Sequence, residues 1–182
     1  MTDQELLQQA REGDSKAFEE LVKRYESQVA ATVIGMLGKC QETEDVGQEV
    51  FIRFYKALHS FHAESSLGTY LTRIAMNLSL NELKRRKRRQ LFFKNFEDDM
   101  TEIAIDPDDT ITKHERQELV QNAIQKLEPG FRVVIVLRLI NGYSTDETAK
   151  ILDLPIGTVL SRLSRAQKKL KETLTPFIKE KI

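Results

Sequence analysis

The sequence predicts an all-α chain: two small helical domains joined by a flexible acidic linker, the C-terminal one a helix-turn-helix. Three observations carry this. Apolar residues recur at the spacing of one helix face, with no sustained alternation of period two. Glycine and proline number only 8 and 4 in 182 residues, so few points interrupt a helix. The periodic pattern fails once, between about Gln90 and Thr112, where acids and Pro107 take over. The expected domains are therefore 1–90 and 112–182, with 91–111 as the linker.

Each element follows from its residues. Phe18, Leu21, Val22, Tyr25, Val29, Val33 and Ile34 form a first apolar stripe. Val46, Val50, Phe51, Phe54, Tyr55 and Leu58 form a second, and Leu67, Tyr70, Leu71, Ile74, Leu78 and Leu83 a third. A surface helix is stabilised mainly by burying one face, so these stripes are expected as core. Phe92, Phe93 and Phe96 stand at the edge of the linker, where they would cap the first domain or dock on a partner. Thr112 and Glu115 make a capping box that opens a helix through Leu127. Its expected apolar face is Leu119, Val120, Ala123, Ile124 and Leu127, and Pro129 and Gly130 stop it. Val133, Val134, Ile135 and Val136 are β-branched, but helical patterns flank them, and a buried helix is expected. Ser144 and Glu147 make a second capping box, opening a helix over Thr145–Leu152. Asp153 falls in a short turn, and Pro155 suits the first turn of another helix, where its missing N–H costs nothing. Val159, Leu163 and Leu170 would hold that last helix on the core.

Lys plus Arg and Asp plus Glu both number 28, so the formal net charge is zero. The local distribution is uneven. Lys84, Arg85, Arg86, Lys87, Arg88, Arg89 and Lys94 form a basic block, and an acidic block from Glu97 to Asp109 follows. Arg162, Arg165, Lys168, Lys169 and Lys171 form a second basic cluster. Long-range steering responds to such asymmetry rather than to the sum. Cys40 is the only cysteine, which excludes an intramolecular disulfide and a cysteine-based zinc site. Glu44, Asp45, Gln48 and Glu49 place an acidic and amide face on one helix, with no His or Cys at ligand spacing. Catalysis needs convergent partners that this face lacks, so it reads as solvated or as a protein-docking face. The chain is expected not to be an enzyme, with no metal and no cofactor. No apolar run approaches the roughly 20 residues of a membrane span, and the N-terminus is polar, so a cytoplasmic chain without membrane insertion is expected.

The stretch from Pro129 to Leu174 has the order of a helix-turn-helix DNA reader. Thr158, Ser161, Arg162, Ser164 and Arg165 point away from the apolar side of its last helix. Short hydroxyls at a helix N-terminus suit phosphate oxygens, and arginine can grip a guanine edge through two hydrogen bonds. Lys168, Lys169 and Lys171 would meet only backbone, in a salt-dependent way. A stand-alone repressor or activator accounts for 129–174 but leaves 44–89 without a role. A helical adaptor has no use for two basic helices.

Nearly the whole chain resembles the extracytoplasmic function (group IV) RNA polymerase sigma factors of the sigma-70 family. AREGDSKAFEELVKRY is similar to the opening helix of that family, and EDVGQEVFIRFYKAL to its polymerase-docking helix. ESSLGTYLTRIAMNLSLNELKRRKRR resembles the promoter-melting and −10-reading segment, and STDETAKILDLPIGTVLSRLSRAQKKL the −35-reading domain. The resemblance implies a factor that binds core RNA polymerase and directs promoter-specific initiation, restrained by an anti-sigma factor that is often membrane-bound. It assigns polymerase docking to Asp45, Gln48, Glu49 and Phe51. Capture of a flipped base and −10 reading fall to His62, Ser65, Ser66, Tyr70, Arg73 and Asn77, with Lys84, Arg85 and Arg86 on nearby phosphates. The −35 contacts fall to Thr158, Ser161, Arg162, Arg165 and Lys168. The acidic linker is implied to thread the polymerase's RNA exit path. Tyr70 stands where the family usually has Trp, His62 and Leu67 replace an Arg and an aromatic, and Leu160 replaces a Lys or Arg.

Overall fold

Capping side chains set where the helices begin. The structure is a computed structural model that describes residues 1–61, 65–93 and 113–179. Thr2 and Glu5 form a reciprocal capping box that opens α1 (Asp3–Arg11). The Asp14 carboxylate accepts the N–H groups of Lys16 and Ala17 and opens α2 (Ser15–Leu37). Gly38, at φ 79°, turns the chain out of α2 into α3 (Gln41–Ala57), which runs into a single 3₁₀ turn at Leu58–Ser60. The Ser66 hydroxyl accepts the Thr69 N–H at the start of α4 (Leu67–Phe93).

The second half holds α5 (Lys113–Lys126), α6 (Pro129–Ile135), a π-helical turn at Val136–Ile140, α7 (Thr145–Leu152) and α8 (Ile156–Lys179). There is no strand among the described residues. Both partners of the Ser144–Glu147 capping box are in place, and α7 has the expected bounds. Asp153 takes the left-handed conformation in the turn to α8. Pro155 lies just outside α8, and its carbonyl accepts from Thr158 and Val159. The β-branched run 133–136 is helical because all four side chains are buried, so packing overrides their strand preference. Three expectations are corrected or left aside. Val120 is 46 % exposed and is not part of the α5 core face. Phe92 is 82 % exposed and caps nothing. Thr112, Phe96 and the Phe93 side chain lie outside the described residues.

In the first half, α1, α3 and α4 pack around α2, and Phe54, Phe61 and Tyr70 form an aromatic cluster within that core. The two halves do not stand apart. The second half lies along the C-terminal part of α2 through α5, α6 and the π turn, and α7 rests on α4. Val133, Val134, Val136 and Leu137 belong to the same buried cluster as Leu21, Val33 and Phe54. Gly35 makes this approach possible: a Cβ there would stand 2.9 Å from a Val136 methyl and 3.2 Å from Ile140 Cδ1.

Polar bonds finish the contact at the end of α2. A helix leaves its last four carbonyls without helical partners. Here the capping Gly38 N–H reaches Ile34 O (2.8 Å), which Gln121 Nε2 also bonds (2.7 Å), while Gln125 Nε2 donates to Gly35 O (2.8 Å) and Arg132 Nη1 to Met36 O (2.6 Å). Arg86 Nη1 reaches Leu37 O at 3.2 Å. Arg132 also donates to Gln125 Oε1 (2.9 Å), to the Gln125 carbonyl and to Leu127 O (2.9 Å), so one cation sits at the C-termini of both α2 and α5. Burial pulls the Arg132 guanidinium pKa down from the usual value, with Arg86 adding repulsion. Arg132→Met is expected to lower unfolding stability by about 2–4 kcal/mol, because it strips donors from buried carbonyls. Urea denaturation checks this; a loss below about 0.5 kcal/mol, the scatter of ordinary surface changes, contradicts the capping role.

Candidate polymerase and nucleic-acid interfaces

The polymerase-docking candidates lie on α3. Val50 and Phe54 turn inward and are fully buried. The opposite face carries Asp45 and Gln48 exposed and Glu49 half-buried, the last paired with Arg53 at 2.9 Å. Phe51 is half-buried against the core. Beside these acids, Ile52 and Tyr55 are 46 % and 60 % exposed. A face that combines exposed carboxylate, amide and large apolar groups is suited to a protein partner. Sequence reasoning placed the acids there but counted Tyr55 as core.

The −10 candidates lie at the start and along the outer side of α4. Arg73 and Asn77 are exposed, and Tyr70 is half-buried, its ring centroid 4.8 Å from that of Phe61. Ser65 is half-buried and Ser66 exposed, while His62 lies outside the described residues. Part of this surface is already engaged. Arg73 Nη2 donates to Lys150 O of α7 at 3.2 Å. The Tyr143 hydroxyl, from the other half, lies 2.8 Å from Gln28 Nε2 and 2.9 Å from the Thr72 hydroxyl. Tyr143, Asn141, Gln28, Tyr25, Gly68 and Ser66 line one groove between the halves.

The basic block on α4 divides in two. Lys84, Lys87 and Arg88 are exposed. Arg85 and Arg89, though also exposed, join the half-buried Arg86 in pairing with the buried Glu82, at 2.8, 3.1 and 3.4 Å. Arg86 and Arg89 also reach Glu42 at the start of α3. The Glu42 carboxyl pKa lies below its usual value because its own backbone N–H and the Cys40 thiol bond it, with Arg86 and Arg89 adding attraction. Arg86, expected on phosphate, is thus tied to Leu37 O, Cys40 Sγ, Glu42 and Glu82. It is half-buried, and its bonds join α2, α3 and α4.

On α8, Val159 and Ala166 are fully buried, which turns Ser161, Arg165 and Lys168 to the exposed side. Thr158 and Arg162 are half-buried, the Arg162 guanidinium beside Gly130. The Ser161 hydroxyl donates back to Thr158 O at 3.0 Å. Lys169 is held by Glu128 at 3.2 Å and lies 4.9 Å from the centroid of the Phe131 ring, so it braces α8 on α6. Leu160 is 51 % exposed among the polar reading residues. Among the described residues, no helix is long and apolar enough to cross a membrane, and no cluster of His, Cys, Asp or Glu could hold a metal ion.

The described residues form only helices, with a mixed polar and apolar exposed face on α3 and exposed cations on α4 and α8, an arrangement suited to a factor that reads DNA beside a larger partner. Residues 21–89 match sigma-70 region 2, and residues 117–170 match sigma-70 region 4. The ECF RNA polymerase sigma-E factor of Escherichia coli (strain K12) is 36 % identical, over 98 % of this chain and 97 % of that one. The RNA polymerase sigma-H factor of Pseudomonas aeruginosa is 32 % identical, over 98 % and 96 %. The solved structure of CnrH in complex with the cytosolic domain of CnrY is 27 % identical, with a TM-score of 0.69, over 96 % of this chain and 97 % of that one. The sigma factor RpoE from Bartonella quintana, solved with the anti-sigma factor NepR, is 24 % identical over 88 % of this chain and 98 % of that one, and shares the fold at a TM-score of 0.70. The chain belongs to the extracytoplasmic function group of the sigma-70 family of RNA polymerase sigma factors.

The division of the basic block has a direct test. Arg86→Ala is expected to cost about 2–3 kcal/mol of stability, since it removes charged bonds to a carbonyl and to a buried carboxylate. Lys87→Ala is expected to stay within about 0.5 kcal/mol of the parent, as exposed substitutions do. Thermal melting of the two variants checks the contrast; equal melting temperatures would show that Arg86 is not structural.

Proposed function

We infer that this chain docks on core RNA polymerase through α3 and directs initiation at promoters, reading the −35 element with α8 and opening the −10 element with α4. The observation that supports it best is the outward basic side of two helices from two halves, next to an exposed docking face on α3. Asp45, Gln48 and Glu49, with Ile52 and Tyr55 beside them, would meet the polymerase. The exposed apolar pair would supply affinity and the polar groups register.

Opening DNA without ATP hydrolysis requires contacts made only to unpaired bases, which offset the cost of unstacking. Ser65, Ser66 and the residues that precede them would hold the flipped base, and Arg73 and Asn77 would lie along the strand. Tyr70 would support the loop through its aromatic packing on Phe61 rather than present a free face. Lys84, Lys87 and Arg88 would carry most of the phosphate contacts on α4, with the exposed Arg85 beside them, because Arg86 is tied to Leu37 O, Cys40, Glu42 and Glu82. On α8, Arg165 is the best-placed base reader, with Thr158, Ser161, Arg162 and Lys168 on the backbone side. Control by an anti-sigma factor belongs to the same proposal. Its support is CnrH, the 27 % identical relative captured with the cytosolic domain of a second protein. Such a partner would also account for any placement at the membrane.

Run-off transcription with core polymerase on a promoter library tests the assignment. The chain is expected to yield defined start sites preceded by two sequence blocks; core polymerase plus chain giving no more defined starts than core alone would overturn it. Asp45→Lys should weaken association with core polymerase by about tenfold or more, the size expected for a reversed interfacial charge. Arg165→Ala should cost about 1–3 kcal/mol of discrimination at one −35 base pair, read from the selected promoters, and should leave core binding unchanged.

A further inference from the structure

We propose that Leu160 is a specificity-determining residue: it reads a T·A pair of the −35 element by packing against the thymine 5-methyl group. The inference deepens the functional reading above and rests on it. The inner side of α8 is fixed by Val159 and Ala166, which are fully buried. At roughly 100° per residue, Gly157, Ser161, Ser164 and Lys168 fall on the opposite side, and all four are exposed. Leu160 lies on one flank of that outer side and Arg165 on the other. Leu160 is half exposed, and so is Ile156, one turn earlier on the same flank. The two give an apolar edge to the first two turns, the part of a recognition helix that contacts base edges in the major groove.

Gly157 adds a second observation that points to something close against this side. Its backbone is not left-handed, and a Cβ built on it would meet no atom within 4 Å. Neither the turn nor internal packing requires glycine there, and glycine lowers helix stability relative to alanine. Its missing side chain gains something only where an outside surface approaches the backbone. Ser161 and Ser164 keep the same line low, and the Ser161 hydroxyl is turned back onto Thr158 O. A low outer side between taller flanks lets α8 sit deep in the groove, with Leu160 and Arg165 against base edges. On those edges thymine carries a methyl group among hydrogen-bonding atoms, and an aliphatic side chain meets it with no polar group left unpaired. A cation at 160 would be drawn to phosphate, which carries no sequence information. Leu160 and Arg165 stand about 7.5 Å apart along the helix axis, roughly two base-pair steps, so the thymine is expected within about three base pairs of the guanine that Arg165 reads.

Promoter selection with core polymerase and the full chain, followed by replacement of each −35 thymine in turn by deoxyuridine, tests this. Deoxyuridine keeps every hydrogen-bonding group of thymine and removes only the methyl. At one thymine of the selected element, the replacement should weaken binding of the polymerase complex about fourfold, the worth of one buried methyl group. Leu160→Ala shortens an exposed side chain and keeps the fold. With that variant the same replacement should change nothing, and selection should no longer favour thymine at the pair. A parent indifferent to deoxyuridine at every −35 thymine overturns the assignment. So does an effect of equal size in parent and variant, and so does a selected element without thymine. If Leu160→Ala instead weakens association with core polymerase in the absence of DNA, the apolar edge meets a protein, and the assignment also falls. A parent that directs no defined starts brings down the functional reading and this assignment with it, whereas defined starts from a parent blind to the methyl group remove the role of Leu160 alone.

Discussion

The C-terminal end of α2 is the constraint on which the rest of the structure depends. The Gly38 N–H serves Ile34 O, and side chains supply the rest: Gln121 also reaches Ile34 O, Gln125 reaches Gly35 O, Arg132 reaches Met36 O, and Arg86 and the Cys40 thiol reach Leu37 O. Three of these side chains come from the second half, and Arg86 comes from α4. The same end carries Gly35, whose missing side chain lets the π turn pack directly on the helix. Each neutral capping bond contributes about 0.5–1.5 kcal/mol net, and each from an arginine about 1.5–3 kcal/mol. These bonds add to the apolar packing of Val133, Val134, Val136 and Leu137 that joins the two halves.

Charge is allotted along the same lines. A formal net charge of zero conceals two kinds of cation. Arg86, Arg89, Arg132 and Lys169 are spent on the protein itself, on helix ends, on Glu82 and Glu42, and on the brace between α8 and α6. Lys84, Lys87, Arg88, Arg165 and Lys168 are exposed and form no ion pair among the described residues. The buried Glu82 carboxylate explains the sorting on α4. It draws the arginines at i+3, i+4 and i+7 to one side and leaves the intervening cations turned outward. Arginine serves the internal role well because its planar fork satisfies several acceptors at once.

Much of this was legible in the sequence, for physical reasons that differ by element. Helix starts were readable where a cap and its partner sit three residues apart, as at Ser144 and Glu147, because that chemistry is local. The stripe of α2 and the turn at Asp153 were readable from spacing and from residue type. The burial of Arg132 was not, since arginine is almost never buried and nothing local marks it as a cap for a helix ninety residues earlier. The contact between the halves was missed for the same reason: Gln121, Gln125 and Tyr143 read as ordinary surface residues until α2 is brought beside them. The internal bonds of Arg86 were not legible because the basic block starts at Lys84, two residues after Glu82, and its other partners lie on α2 and α3. Val120 was assigned to a core face that has room for its neighbours at 119, 123 and 124 but not for it.

The most direct test is the distance between the halves in the free chain. Spin labels on Lys23 of α2 and Gln167 of α8, both exposed, report it by pulsed electron resonance. The account predicts one short, narrow distribution, because a shared buried cluster and the capping bonds of α2 fix the halves against each other. A broad distribution reaching beyond the span of the packed chain would contradict it.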